Sequence, residues 1–391
     1  MKKVLFVVQR FYPSQGGTQL HSFKYSKELV KLGYQVDIVT TDSLSNIDVR
    51  GFSSGRKFSI KSADNNLKRK ENMEGVDIFR FRPIFQFFTV MINPPMFFFL
   101  MFNLKKYDII HTFCYMYAEP DMVAILSLFN RDLKIVHSPQ DLDVPFKGKM
   151  KKLKEIFYDR TLGKLTLKKA SQVIVLTNEL KNRVQEMGVD KKKISILPIG
   201  IDFEKYNEGN LHKRDIDILF VGRFVEYKGI QHIIEAVNLL NKENIILKFV
   251  IIGNDNGYKF EMKEIIKKYN LKNVTIFENL SEDKLISYYN RSKFFIFPSS
   301  GEGFGGVVLE AIAGGCYPIL LKEKGLKDLL VNIGGYSLYN NHSISDQIFD
   351  FLKYNYTKDF SMQIKQLQDI IYRDYNWNNI TKDLVKIYEK I

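Results

Sequence analysis

Two carboxylates, Glu302 and Glu310, flank an almost side-chain-free patch, Gly303-Phe304-Gly305-Gly306, in the stretch GEGFGGVVLEA. Paired carboxylates suggest the acid and base of a glycoside hydrolase. However, GGVVLEAIAGG reads as a loop entering a buried helix, with glycines at its mouth and at its stop. Eight helical positions span about 12 Å, whereas hydrolase carboxyls stand about 5 to 9.5 Å apart. A bend in the loop would close that gap, so the spacing disfavours the pair without removing it. Alternatively, the glycines let a ligand approach the backbone. Free N–H groups at the positive end of a helix would then face an anionic or hydroxyl-rich group. The glutamates would accept hydrogen bonds from two different parts of one long ligand. The plainer reading is a glycine-rich turn with one solvated and one buried glutamate.

A second constellation is VGRFVEYKG, which ends an apolar run and sets Arg223 and Lys228 at the mouth of a helix. Two cations there suit a diphosphate, with each Arg–phosphate hydrogen bond contributing about 1.5 to 3 kcal/mol. A solvated basic turn is the alternative. Gly16-Gly17 follow the first apolar run and precede a helix, so their amides are placed for an anion. The pattern is not the GxGxxG dinucleotide fingerprint, which speaks against a nicotinamide enzyme. His111 in DIIH and His137 in IVHS each close an apolar run, and a lone histidine there is either packed core or a site residue. The acidic triplets Asp141–Asp143 and Asp215–Asp217 have the DxD form of metal-dependent transferases, but neither has a companion cluster.

These residues need a scaffold. The 391-residue chain is too long for one ordinary core, so two domains are expected. Its 45% hydrophobic and 26% charged residues indicate a soluble globular protein. Apolar runs of four to six residues, such as KKVLFVVQR, YQVDIVTT, DILFVGR and KFFIFPSS, alternate with amphipathic helical stretches. That pattern predicts parallel sheets covered on both faces, hence two doubly wound α/β domains. The irregular segment Leu197–Asp215 reads as the linker, and YNWNNITKDLVKIYEKI as one amphipathic helix carrying the single tryptophan. Cys114 and Cys316 form no CxxC and no disulfide framework, which suits a reducing cytoplasm. The amino-terminal apolar run stops at Val8, so it reads as a first strand rather than a signal peptide.

The net charge of +14 and pI of about 9.3 favour nucleic acid, an anionic membrane or phosphorylated ligands. Nucleic acid is set aside because no helix-turn-helix spacing, zinc knuckle or aromatic RNA-binding signature is present. Ile84–Leu104 is about long enough to span a bilayer. Asn93-Pro94-Pro95 breaks it, so a buried or interfacial helix after Pro95 is expected. In Phe146–Ala170, Met150, Leu153, Ile156 and Phe157 share a face at helical spacing with flanking lysines, among them Lys149, Lys151, Lys152 and Lys154. That segment reads either as an ordinary domain helix or as an interfacial helix drawn to an anionic leaflet.

With this organisation in place, the chain resembles the retaining GT-B glycosyltransferases of the "glycosyl transferase group 1" class. YPSQGGTQLHSFKYSKELVKLGYQVDIVT, DIIH, IVHS, ASQVIVLTNELKNRV, ISILPIGIDFEKY, LFVGRFVEYKGI, FVIIG and the E-x7-E stretch occur in the family's order. The resemblance implies a GT-B fold of two Rossmann-like domains facing across a cleft. The expected divisions are 1–200 for the acceptor, 201–372 for the donor, and a carboxy-terminal helix, 373–391, returning towards the first. It implies that Glu310 accepts from the nucleotide ribose, and that Glu302 and the amides of Gly303, Phe304, Gly305 and Gly306 hold the donor sugar. Arg223 and Lys228, with Gly222, and Gly16 and Gly17 would hold the diphosphate. His137 would stand beside the transferred sugar and acceptor, with His111 a further acceptor-side candidate, and Arg223, Lys228, Glu302 and His137 form the expected catalytic set. No cofactor or metal is implied beyond the nucleoside diphosphate sugar as co-substrate. The expected activity is transfer of a sugar, of hexosyltransferase type, to a glycan or lipid-linked acceptor at the inner face of the membrane. A nucleotide-sugar epimerase, a phosphorylase and a silent nucleotide-sugar scaffold are the alternatives. Gln19 stands where an acidic residue is frequent, Glu278 where glycine is usual, and GGCYPI carries one extra residue, which leaves base and sugar open.

Overall fold

The computed structural model describes residues 1–14, 16–43, 67–87, 90–142, 152, 154–206 and 214–391. The chain divides into two compact units, Met1–Pro198 with Ile380–Ile391, and Ile199–Asn379.

Unit 1 holds β1 (Lys3–Val7), α1 (Gly17–Lys31), β2 (Gln35–Thr41), β3 (Lys70–Met73), β4 (Val76–Phe81), the hairpin β5 (Phe85–Phe87) and β6 (Val90–Ile92), and α2 (Pro94–Asn103). There follow β7 (Ile109–Phe113), α3 (Ala118–Leu126), β8 (Ile135–Ser138), α4 (Leu162–Lys169), β9 (Gln172–Val175), α5 (Asn178–Glu186) and β10 (Ile194–Ile196). The main sheet runs β10-β9-β8-β7-β1-β2-β4-β3, with only the β3–β4 pair antiparallel. β1 is central because all its side chains but the first are buried, as a strand covered on both faces requires. Its neighbours lie on opposite sides in the order of the chain, β2 on one and β7 on the other.

Unit 2 holds β11 (Ile216–Val221), α6 (Ile230–Lys242), β12 (Phe249–Ile252), α7 (Lys259–Lys268), β13 (Val274–Phe277), α8 (Glu282–Arg291) and β14 (Ser292–Phe297). The chain continues through α9 (Gly306–Ala313), β15 (Tyr317–Leu321), α10 (Lys324–Asn332), β16 (Tyr336–Leu338), α11 (Ile344–Asn355), α12 (Ser361–Asp374) and α13 (Trp377–Glu389), whose residues from Ile380 onward belong to unit 1. Its all-parallel sheet runs β13-β12-β11-β14-β15-β16. Both units are therefore doubly wound Rossmann-like sheets, the fold class expected from the apolar runs.

The β3–β4 hairpin escaped the sequence pattern because its strands alternate polar and apolar residues and β3 is largely exposed. Its turn residues Glu74 and Gly75 both have positive φ, as a two-residue hairpin turn demands. The segment Leu197–Asp215 is only partly irregular, since Phe203 and Tyr206 are buried on a 3₁₀ turn, Phe203–Tyr206. In the basic segment Phe146–Ala170, residues 146–151 and 153 lie outside the described residues. Of its expected apolar face only Ile156 and Phe157 are described, and both are exposed. No helix among the described residues is long and apolar enough to cross a membrane.

Candidate active site

In an open parallel sheet, ligands bind beyond the carboxyl ends of the strands where the strand order reverses direction. Unit 2 reverses between β11 and β14. The segments leaving those two strands carry Gly222 to Lys228 and Pro298 to Gly306, which are the expected donor residues.

Arg223 is exposed, and its Nη2 donates to the Tyr227 hydroxyl at 2.9 Å. Tyr227 in turn accepts from the Ser300 amide at 3.0 Å through its carbonyl, which ties the two segments together. Lys228 is buried, lies 5.0 Å from the centre of the Phe297 ring, and its Nζ contacts the Glu302 carboxylate. Ser299 also donates to Glu302 Oε1, at 3.2 Å. Burial, and then the neighbouring Arg223 charge, pull the Lys228 ammonium down to about 7. A carboxylate in contact favours the charged form, so Glu302 works against that burial. The sequence placed Lys228 and Glu302 on different parts of a ligand, whereas the structure brings them into one ion pair. An arriving phosphate would compete with Glu302 for the same ammonium.

The helical spacing assumed between the two glutamates does not hold across its first half. α9 begins only at Gly306, and Glu302 to Gly305 are loop. Gly305 takes φ 92°, and a Cβ there would stand 2.6 Å from Leu326 Cδ2, so glycine is required by the fold. At Gly306 a Cβ would meet no atom within 4 Å, so packing does not explain that glycine. No side chain caps α9, and the open backbone at its positive end is free to meet an anion or hydroxyl. Phe304 is buried beside Tyr375, so it anchors the loop while its backbone remains part of the turn.

Glu310 lies in the second turn of α9. Its Oε2 accepts from the Tyr289 hydroxyl at 2.9 Å, and Tyr289, on α8, is fully buried. Burial pushes the Glu310 carboxyl up to about 7, opposed by the Tyr289 hydrogen bond, raised by Glu282 and lowered by Lys205. Sequence reasoning missed Tyr289, whose only signal is its place on the inward face of α8. If Glu310 accepts from ribose hydroxyls, as the family resemblance implies, the ionised carboxylate is the binding form, and affinity for a nucleotide sugar should rise with pH through about 7. Tyr289→Phe removes a hydrogen bond that favours the ionised form. It should move that midpoint upward and weaken binding at neutral pH by about 3- to 12-fold. Calorimetry across the pH range checks this, with Glu310→Gln expected to flatten the profile.

Unit 1 reverses between β1 and β7. Gly16 and Gly17 follow β1 and open α1. A side chain on Gly17 would meet no atom within 4 Å, whereas one on Gly16 would collide with buried Gln19. Thr18 Oγ1 lies 3.4 Å from Cys114 Sγ, just past the end of β7. Cys114, Met116 and Gln140 all have positive φ, which costs about 1 to 3 kcal/mol each and clusters at functional sites. Glu119, fully buried at the start of α3, accepts from Gln9 Nε2 at 3.3 Å, and burial pushes it up to about 8. Sequence reasoning did not single out Glu119, Thr18 or Gln140.

His137 is fully buried on β8, with its Nδ1 2.8 Å from Thr112 Oγ1 and no partner for Nε2 among the described residues. Burial pulls it down to about 3, so it is a neutral imidazole at physiological pH. His111 is placed differently. Its Nδ1 lies 2.6 Å from the Tyr388 hydroxyl and its Nε2 2.8 Å from Ser138 Oγ, so both ring nitrogens are engaged within the core. Of the acidic triplets, Asp215 pairs with Arg291 and Lys248, and Asp217 with Lys293. Asp141 faces Arg183 at 3.6 Å, and Asp143 lies outside the described residues. Among the described residues no group of three or more His, Cys, Asp or Glu is placed to hold a metal ion.

Residues 202–368 match the profile of the "Glycosyl transferases group 1", and residues 15–205 that of "Glycosyltransferase Family 4". Between them these two glycosyltransferase profiles take in residues 15–368, and the chain is a glycosyltransferase. A glycosyltransferase of Methanocaldococcus jannaschii is 24% identical to it, over the full length of both chains. The phosphatidylinositol N-acetylglucosaminyltransferase gpi3 subunit of Schizosaccharomyces pombe is 22% identical over 97% of this chain and 79% of that one. Among solved structures, Anabaena HepE in complex with UDP superposes over all of both chains with a TM-score of 0.72 at 15% identity. The same protein has been solved with UDP-glucose, with a TM-score of 0.70. These likenesses show a GT-B fold for the glycosyltransferase.

Proposed function

We propose that this glycosyltransferase is a retaining, metal-independent enzyme that moves a sugar from a nucleoside diphosphate sugar to an acceptor hydroxyl. The observation that carries the reading is the gathering of Arg223, Lys228, Glu302 and the glycine-led start of α9 at the switch point of unit 2. Unit 2 would hold the donor, with Glu310 on the ribose, Arg223 and Lys228 on the diphosphate, and Glu302 with the Gly303–Gly306 amides on the sugar. HepE, a fold relative, was solved with UDP and UDP-glucose, which supports a nucleotide sugar as donor.

No carboxylate is an evident nucleophile, so attack and departure on the same face are favoured. The bond from the anomeric carbon to the diphosphate oxygen breaks while the acceptor oxygen bonds to that carbon. The acceptor proton passes to the leaving diphosphate. Arg223 and Lys228 stabilise the charge that grows on that group. Unit 1 would hold the acceptor, with neutral His137 on its side of the reaction. The acceptor class is a lipid-linked or membrane-associated glycan, and the enzyme would work at the cytoplasmic face of the membrane. The net charge of +14 and the gpi3 relative's named phosphatidylinositol activity support this part.

Thermal-shift screening against a panel of nucleotide sugars, starting from UDP-glucose, tests the reading. One donor should stabilise the chain and be slowly hydrolysed in the absence of acceptor. Stabilisation without hydrolysis would mark a scaffold, and no stabilisation by any nucleotide sugar would remove the donor assignment.

A further inference from the structure

α2 is built to show two different faces. Asn93 caps it by accepting from the Met96 amide at 3.2 Å, and Pro94 and Pro95 preset its first turn. Met96 and Leu100 point inward and pack with Leu5, Val7, Val39 and Ile110. The opposite face carries Phe98, 54% exposed, Met101, and Phe102, 71% exposed. At the same helical spacing the stripe runs on into exposed Lys105 and Lys106. At the other end of α2, exposed Ile84 and Ile92 are joined by a 2.9 Å backbone hydrogen bond at the mouth of the β5–β6 hairpin.

Topology extends the stripe to a second element. α2 leads into β7 and α3 leads into β8, so both helices end at the amino-terminal edge of the sheet. Just past α3, Leu128 and Phe129 are exposed, Phe129 at 86%, and exposed Arg131 and Lys134 follow. Lys134 reaches that edge directly, its carbonyl accepting from the Ile110 amide at 2.9 Å. Lys2 and Lys3 open β1 on the same edge, which also carries the acids Asp108, already accepting from the Lys3 amide, Asp132, and Asp37 and Asp77 near the starts of β2 and β4. Exposed aromatics bordered by cations are the side-chain chemistry of a membrane interface, where rings enter the acyl boundary and ammonium groups meet anionic headgroups. A second copy of this chain would bring the same cations against these, so charge complementarity favours an anionic partner.

We infer that the outer face of α2, from Ile84 and Ile92 through Phe98, Met101 and Phe102 to Lys105, is the surface on which this glycosyltransferase lies against an anionic membrane. The inference rests on the membrane part of the proposed function and names the surface that performs it. It differs from the basic segment Phe146–Ala170 on which the sequence placed docking. The hairpin end of the stripe lies beside β4's carboxyl end, where Asn93 Nδ2 donates to the Phe81 carbonyl at 3.2 Å. Strand carboxyl ends in this sheet form the ligand-binding edge, so a bilayer along α2 presents that edge to a lipid-borne acceptor.

Cosedimentation of the full chain with vesicles of phosphatidylcholine alone, or mixed with phosphatidylglycerol, tests it. The chain should pellet with the anionic vesicles only, and less as salt rises. Phe98→Ser/Phe102→Ser should lower the partition constant by about tenfold or more, and Lys105→Glu/Lys106→Glu should lower it and flatten the salt dependence. Thermal shift with a donor and donor hydrolysis should stay unchanged in both, which separates loss of docking from loss of fold. Equal binding by these variants, with loss on Lys149/Lys151/Lys152/Lys154→Glu, would overturn the α2 assignment and leave the membrane reading standing. No binding by the unsubstituted chain would overturn both. Dimers that Phe98→Ser/Phe102→Ser converts to monomers would give the face to a second copy and overturn the inference.

Discussion

Replacing Lys228 with alanine should lower kcat/KM by about tenfold to 150-fold, equivalent to roughly 1.5 to 3 kcal/mol of transition-state stabilisation. Arg223→Ala should fall in the same range. On the proposed reading the loss should appear in kcat as well as KM, because the charge these groups would meet grows as the diphosphate departs. The two sites predict different shapes of loss. Lys228 is buried against Phe297 and pairs with Glu302, so its removal also leaves a carboxylate without its cation. Lys228→Ala should therefore lower the melting temperature, and Arg223→Ala, whose guanidinium is exposed on Tyr227, should not. Steady-state kinetics with thermal melts checks both statements. Near-normal turnover in both variants would remove the diphosphate assignment.

The second expected result separates the two glutamates. Glu310→Ala should weaken the free nucleoside diphosphate and the intact donor alike, by about tenfold or more, because the ribose is common to both ligands. Glu302→Ala should spare the free nucleotide and damage sugar transfer. The Lys228–Glu302 pair sharpens this expectation. An arriving phosphate would have to compete with Glu302 for Lys228, so removal of Glu302 should leave nucleotide affinity equal or higher. Calorimetry on both variants with both ligands decides the matter, and identical ligand profiles would show that the division of labour is wrong. The pH dependence gives a further check on Glu310. Its carboxyl is raised by burial to about 7, so this group favours the folded state most below about pH 4.5, its ordinary value. That contribution is lost as pH rises through about 7, where, on the proposed reading, nucleotide binding by the ionised form should strengthen.

What the chain disclosed by itself is local in origin. Apolar runs bounded by Gly222, Gly33 or Pro298 give strands and helix ends from neighbouring residues alone. The glycine pair at Gly16-Gly17 and the patch from Gly303 to Gly306 stand out because only glycine leaves backbone uncovered. The single amphipathic period of α13, with Trp377, Ile380, Leu384, Ile387 and Tyr388 buried, was readable for the same reason. β3 and β4 were not, because an edge hairpin with alternating polarity has no apolar run to announce it.

Tertiary structure decided which chemistry-bearing residues meet. Lys228 and Glu302 come together because parallel strands β11 and β14 are neighbours in the sheet, although α6, α7 and α8 intervene in the chain. Tyr289 reaches Glu310 only because α8 and α9 pack side by side. His111 and His137 look alike in sequence, each closing an apolar run. Tyr388, 277 residues away, reaches the first, while Nε2 of the second has no partner among the described residues. The two faces of α2 were also hidden, since ten nearly unbroken apolar residues show no period until the core claims Met96 and Leu100. Local propensity depends on neighbours along the chain, whereas ion pairing, burial and hydrogen-bond satisfaction depend on neighbours in space.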